Sequence, residues 1–373
     1  MSRRVLSAKQ VGRLVVGHTV GAAILTLPNV AVRAFGSSAW WVLFVLGLFF
    51  TVGAWFTAVL VRRFPEETLV EFAPKLLGRP LGFILNLLLI LMLLSIVPIE
   101  VRAMLEITNI SILPLGPAWF ISGIFLLAVA YGVSKGLDTF AQVNEILIGL
   151  ALIIGATVVV LGWQNFDSIH LYPLFHPKDF RWQPMLLIGL SMAFFGYPII
   201  YYLAPFLKDP DRLVGSATRS MFFITLLFSF FTLTIQGVFG DKETLNQSWP
   251  ALELAKSIHL PGIFIERMDL VLILAWIPAI YTTASASMFF GILALVRLFK
   301  LRSTSLVIWG LAAIFYWLSG LLTNYFEWTK WSGYLGFLGL FISILLPLVL
   351  WLAYLMRPGA DQAEPKGEGG TAR

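Results

Sequence analysis

Long apolar runs separated by short polar segments dominate the chain. A bilayer core about 30 Å thick needs about 20 apolar residues per helix. Ten runs reach that length, at roughly 10–34, 39–61, 81–108, 117–134, 138–162, 183–206, 214–238, 264–296, 305–323 and 333–356. The pattern predicts an all-α integral membrane protein of about ten transmembrane helices. Residues 1–356 form one multi-pass domain in this reading, with no room for a second soluble domain. The tail, 357–373, is rich in Gly, Pro and charge and reads as a disordered end.

Composition agrees with the runs. Of 373 residues, 58% are apolar and only 46 are charged. Soluble domains carry about 45–50% apolar and about 25% charged residues. A soluble enzyme, a disordered chain and a nucleic-acid binder are therefore excluded. The net charge of +6 comes from basic residues in the short loops, where they set orientation. With the N-terminus inside, 18 of the 26 Lys and Arg fall on inner segments and eight on outer ones, so both termini are expected in the cytoplasm. No small-residue cleavage site follows a short apolar core near the N-terminus, as a signal peptide would require. There is no cysteine, hence no disulfide and no thiolate metal site.

Two runs are interrupted. Span one reads Gly17-His18-Thr19-Val20-Gly21-Ala22-Ala23-Ile24-Leu25-Thr26-Leu27-Pro28. Span six reads Gly189 to Pro198, with Gly196-Tyr197-Pro198 at its end and Pro205 beyond. These segments open the first and second sets of five spans. Interrupted helices at corresponding positions of two halves point to the central site of an inverted-repeat transporter. The repeats would cover about 10–162 and 183–356. Backbone groups freed at a break cannot face lipid and must face protein or a water-filled cavity. They can hold a carboxylate at a half-helix N-terminus and a cation at a C-terminal end, which suits an amino-acid zwitterion. The alternative is that Gly and Pro only kink these helices or let neighbours pack.

Span three carries the second signal, Glu100-Val101-Arg102-Ala103-Met104-Leu105-Glu106. An ionisable residue inside a span is costly unless paired or hydrated. Arg102 and Glu106 are four apart and can pair along one helix face. Glu100 points elsewhere, which makes it the candidate for a substrate-amine partner or a proton carrier. The competing possibility is that the span ends near Glu100, since Leu81 to Glu100 already covers about 28 Å.

Span eight adds a hydroxyl stripe, Tyr281, Thr282, Thr283, Ser285 and Ser287. It can line a cavity, bind an ion, or bond back to its own helix carbonyls. The segment Ile265-Glu266-Arg267-Met268-Asp269 before it complements the positive end of the helix dipole. Gln142, Asn144 and Glu145 read as the solvated start of span five. His18 lies beside the first break and is either a titrating group or a structural histidine. The other histidines fall in outer loops. No zinc motif, nucleophile elbow or nucleotide loop occurs, so no cofactor and no enzyme chemistry are implied.

Three stretches together resemble the spore-germination B-subunit family (GerAB type) of the amino acid–polyamine–organocation permease superfamily. They are Gly21 to Pro28, Glu100 to Glu106, and Trp249-Pro250 followed by Pro261 to Asp269 and Trp276. The resemblance covers essentially the whole chain. It implies a LeuT-like 5+5 inverted repeat with helices 1 and 6 broken. It also implies a small germinant as ligand, usually an amino acid. The partners it implies are two other receptor subunits in the inner spore membrane, a large soluble-domain subunit and a lipoprotein. The chain departs from the family in span six, where Pro198 stands at a position that is often acidic, which suggests a different or less polar ligand. Span five has no lysine to substitute for a cation.

The expected binding residues are Gly21, Ala22, Ala23, Glu100, Gly196, Tyr197, Thr282 and Ser285. His18, Arg102 and Glu106 are the expected coupling or structural charges. Two functions share this site, a ligand-sensing receptor subunit and a proton-coupled amino-acid permease. A membrane-embedded enzyme is disfavoured, because the acids and histidines of the outer loops show no recognisable spacing.

Overall fold

The computed structural model describes residues 4–113, 116–175, 184–259, 267–322 and 325–357. Span one is two helices, α1 (Ala8–Val20) and α2 (Ala23–Phe35), separated at Gly21 and Ala22. Ser7 starts α1 with a capping box, its side chain accepting from the Gln10 N–H while Gln10 reaches back to the Ser7 N–H. Spans two to five are α3 (Ala39–Arg62), α5 (Arg79–Ser111), α6 (Ala118–Ser134) and α7 (Leu137–Gly162), with the short α4 (Leu69–Leu77) between α3 and α5. Span six begins as α8 (Pro184–Met192) and continues as 3₁₀ turns over Tyr197–Tyr202 and Ala204–Phe206. Then come α9 (Leu213–Asn246), α10 (Pro250–Lys256), α11 (Met268–Phe299) and α12 (Thr304–Leu321). Span ten is α13 (Tyr325–Leu340), a π-helical turn over Phe341–Leu345, and α14 (Leu346–Met356).

Among the described residues, seven helical segments are long and apolar enough to cross a membrane, and α6, at 17 residues, is an apolar helix just short of them. The other two spans are the broken ones. The halves of span one have 13 residues each and α8 has nine, so neither span crosses as one continuous helix. Among the described residues the only β pairing is a single bridge between Leu6 and Leu207.

The chain alternates between two ends. At the basic end, Arg4 pairs with Glu66, Arg13 with Glu145, and Arg297 with Glu71, the last at 3.2 Å. At the opposite end Trp41 Nε1 donates to Leu174 O at 3.0 Å and Asn165 Nδ2 to Ser257 O at 3.0 Å. Asn29 and Arg33, on the last turns of α2, bond carbonyls at the end of α9 there.

Several boundaries differ from the sequence reading. The third span does not end at Glu100: α5 has 33 residues, about 50 Å of helix, and Glu100 is 7% exposed. Span ten starts at Tyr325 rather than near 333, and it carries the π turn. Helix α9 runs on to Asn246 across a kink at Gly240, where φ is 69°. Tail residues 358–373 and the segment from Pro261 to Glu266 lie outside the described residues.

The outer helices pack through small residues, as membrane helices do. A Cβ on Gly47 of α3 would stand 2.5 Å from Thr225 Cγ2 of α9, too close without a shift of either helix. Gly149 of α7 has nothing within 4 Å of such a Cβ. Gly47→Val should therefore cost about 1–3 kcal/mol through overpacking, read as a lowered Tm in detergent, while Gly149→Ala should leave Tm unchanged or raised.

Candidate functional site

The two breaks cross each other. A Cβ on Gly196 would stand 2.6 Å from Thr19 Cα, so only a glycine lets span six lie this close to span one. His18 joins them. Its Nδ1 is 2.7 Å from Gly196 O, and its Nε2 is 2.8 Å from Ser287 Oγ of α11. A carbonyl can only accept, so Nδ1 donates, and in the neutral ring Nε2 then accepts the Ser287 hydroxyl proton.

The carbonyls at the end of α1 are closed by α11. Thr283 Oγ1 accepts from the Gly21 N–H at 3.1 Å and donates to Gly17 O at 2.7 Å. Thr282 Oγ1 lies 2.7 Å from Ala279 O of its own helix and 3.1 Å from Gly17 O. Trp276 Nε1 donates to Gly21 O at 3.0 Å. From α7, Asn144 Nδ2 donates to Arg13 O at 3.0 Å, and a Cβ on Gly17 would overlap Asn144 Oδ1.

The start of α2 is closed by α5. The Ala22 N–H lies 3.2 Å from Glu100 Oε2 and 3.4 Å from Oε1. This is the positive end of a half-helix, and a carboxyl group is its natural partner. A Cβ on Gly21 would stand 2.8 Å from Glu100 Oε1 and 2.7 Å from Thr283 Oγ1, so the break has no space for a side chain.

Over these contacts lies a cavity of about 500 Å³, within the usual range for small-molecule sites. His18, Ala22, Glu100, Gly196 and Thr283 form its floor. Its walls come from α2, α5, α8 and α13 and are largely apolar, with Ile96, Ile99, Met192, Phe195 and Leu335 among them. Arg33 and Lys330 also line it, toward the end opposite the basic loops. Trp328 lines the wall and donates from Nε1 to Ile99 O at 3.1 Å, pinning α13 to α5.

Of the residues the sequence singled out, His18, Ala22, Ala23, Glu100 and Gly196 line this cavity. Gly21 lies beneath it in the break. Tyr197 turns away, its hydroxyl donating to Ser343 O in the π turn of span ten. Thr282 and Ser285 are fully buried and do not line the cavity. Arg102 and Glu106 form an i,i+4 ion pair outside it. Asn144 is fully buried under α1 rather than solvated. The α13 wall was missed, since nothing in that apolar run marks which face meets protein. Thr283 belonged to the noted hydroxyl stripe, and its place next to Thr282 gave no sign of which would reach the break.

Comparison with known proteins agrees with this architecture. The sequence model of the spore permease family, described as spore germination protein, matches residues 5–326. Spore germination protein YndE of Bacillus subtilis (strain 168) is 25% identical over 348 residues, 92% of this chain and 95% of that protein. Spore germination protein B2 of the same organism is 28% identical over 260 residues, 69% of this chain and 70% of that one. Among solved structures, MhsT in complex with L-phenylalanine superposes with a TM-score of 0.70 at 14% identity, covering 95% of this chain and 99% of that one. A substrate-bound, outward-open Na⁺-coupled sialic acid symporter gives a TM-score of 0.70 at 12% identity, covering 94% of this chain and 80% of that one. The fold is therefore LeuT-like, and its long apolar helices are those of a multi-pass membrane protein. With its family model matched over most of its length, the chain belongs to the spore germination protein family of spore permeases.

Proposed function

We propose that this protein is the membrane subunit of a spore germinant receptor, binding a small germinant, an amino acid, in the cavity over the two breaks. The observation that carries the reading is the cavity itself. It is large enough for a small molecule, it is floored by unwound backbone and by Glu100, and it lies toward the end opposite the basic loops. By the distribution of Lys and Arg, both termini are cytoplasmic and the cavity faces outward across the inner spore membrane. The segments from α1 to α7 and from α8 to α14 are read as inverted repeats, which explains a break in the first span of each. A ligand that binds one arrangement of the broken spans more tightly than another shifts the population. The changed state then passes to the partner subunits, a large soluble-domain membrane subunit and a lipoprotein.

A second reading, a proton-coupled amino-acid permease, draws support from the likeness to the Na⁺-coupled symporter. Both readings need the same site. Uptake into reconstituted vesicles separates them: a receptor subunit that only senses should bind an amino acid yet accumulate none under an imposed pH gradient, whereas a permease should accumulate it.

Thermal stabilisation of the purified protein tests the site, because a ligand that binds the folded state raises its apparent stability. At about 100 times its Kd, a ligand adds about 2.7 kcal/mol. At least one of the twenty amino acids should raise Tm, and sugars and nucleosides should not. Failure of every amino acid would contradict the reading. Gly196→Val should abolish the shift while the protein still inserts in the membrane, since the added atoms push span six away from Thr19. Retained binding in that variant would remove the broken helices from the site.

A further inference from the structure

The floor of the cavity is already occupied by a carboxyl group that belongs to the protein. The N-terminus of α2 opens on this cavity, and a free half-helix end there would attract the carboxylate of a ligand. Glu100 sits at that end instead, with both oxygens near the Ala22 N–H, at 3.2 and 3.4 Å. It is buried to 7% exposure and lines the cavity.

The other titratable groups facing the cavity are few. Both ring nitrogens of His18 are engaged, by Gly196 O and Ser287 Oγ. Arg33 and Lys330 stand near the mouth. Arg33 is eleven residues along α2 from Ala22, about 16 Å of helix rise. Among the described residues that line the cavity, Glu100 is the only acid. A carboxyl group offers about four lone-pair positions, and one backbone N–H leaves the rest for a second donor. The floor is thus rich in acceptors where an amino-acid site would ordinarily offer donors. The walls above it are mostly apolar.

From this placement we infer that Glu100 stands in for the carboxyl group of a ligand, so that the site selects a primary amine with an apolar body, whether or not the molecule carries a carboxylate. The inference rests on the reading that this cavity is the ligand site. The ammonium group sits against Glu100 and its apolar body lies along Ile96, Ile99 and Phe195.

Matched compounds test it on the intact protein by calorimetry and thermal shift. The amino acids are leucine, phenylalanine and valine. Their decarboxylated partners are 3-methylbutylamine, 2-phenylethylamine and 2-methylpropylamine. Their deaminated partners are 4-methylpentanoate, 3-phenylpropanoate and 3-methylbutanoate. For at least one series the amine should bind within about tenfold of the amino acid, and the deaminated acid should bind at least about 30-fold more weakly, since it leaves Glu100 without its cation. Amino acids that bind while the amine binds in none of the three series would overturn the inference and leave the germinant site standing. Amines that bind without any amino acid would support the inference and remove the amino-acid reading. Silence in all three series would overturn the inference, and the germinant reading falls with it only if the other amino acids are silent too. A second measurement reads the anion position directly: Glu100→Gly should lower Tm, and millimolar acetate should restore at least half of the loss in the variant while leaving the wild-type Tm unchanged. A loss that acetate does not restore would count against the replacement.

Discussion

Where spans one and six unwind, their freed N–H and C=O groups lie at membrane depth, and lipid can satisfy none of them. The centre of the molecule is arranged around that constraint. Helix α11 supplies Thr283 and Trp276 to the carbonyl side of the first break. Helix α5 supplies Glu100 to its N–H side. His18, from span one itself, reaches across to the carbonyl of Gly196 in span six. The partners come from spans one, three and eight, so the breaks also tie the bundle together. An unmade hydrogen bond at one of these buried groups costs about 1–3 kcal/mol, which is why the pattern of partners is dense.

The same contacts divide the molecule into a tightly closed part and an open part. Below the breaks, Gly17, Gly21 and Gly196 let backbone approach side chains from four helices, and Tyr197, Tyr201 and Tyr202 of the 3₁₀ turn are fully buried. Above them, α2, α8 and α13 splay to leave the cavity. Its outer rim is held by Asn29, whose amide donates to Thr244 O, Leu245 O and Gln247 O at 2.8–3.1 Å. A ligand in this space touches both broken spans at once, and so any preference it has for one arrangement of them acts on the whole bundle.

Much of this was legible in the sequence, and the rest was hidden for definite physical reasons. Span number follows from run length, which is a local property. The breaks were visible because Gly21, Gly196 and Pro198 disrupt the helical ladder where they stand. Glu100 was conspicuous because a lone carboxyl in an apolar run is expensive. What could not be read was who meets whom. Ala22 and Glu100 are 78 positions apart, and Gly17 and Thr283 are 266 apart. Tyr197 follows the glycine of the break, yet 3₁₀ winding turns its hydroxyl toward Ser343. The wall formed by Trp328 and Leu335 left no trace, because an apolar helix looks the same facing lipid or a cavity.

The central claim is that the space above the two breaks is the ligand site and is reached from the end opposite the basic loops. Because the chain has no cysteine, one introduced thiol reports on it without background. Thr26 lines the cavity from α2, and Lys330 stands near its mouth. In sealed vesicles, Thr26→Cys should react with a small charged methanethiosulfonate added on the side opposite the basic loops. A bound amino acid or amine should slow that reaction at least about tenfold, as occupancy near saturation requires. A Thr26→Cys thiol that reacts equally fast with and without every such compound, or only from the basic side, would contradict the account.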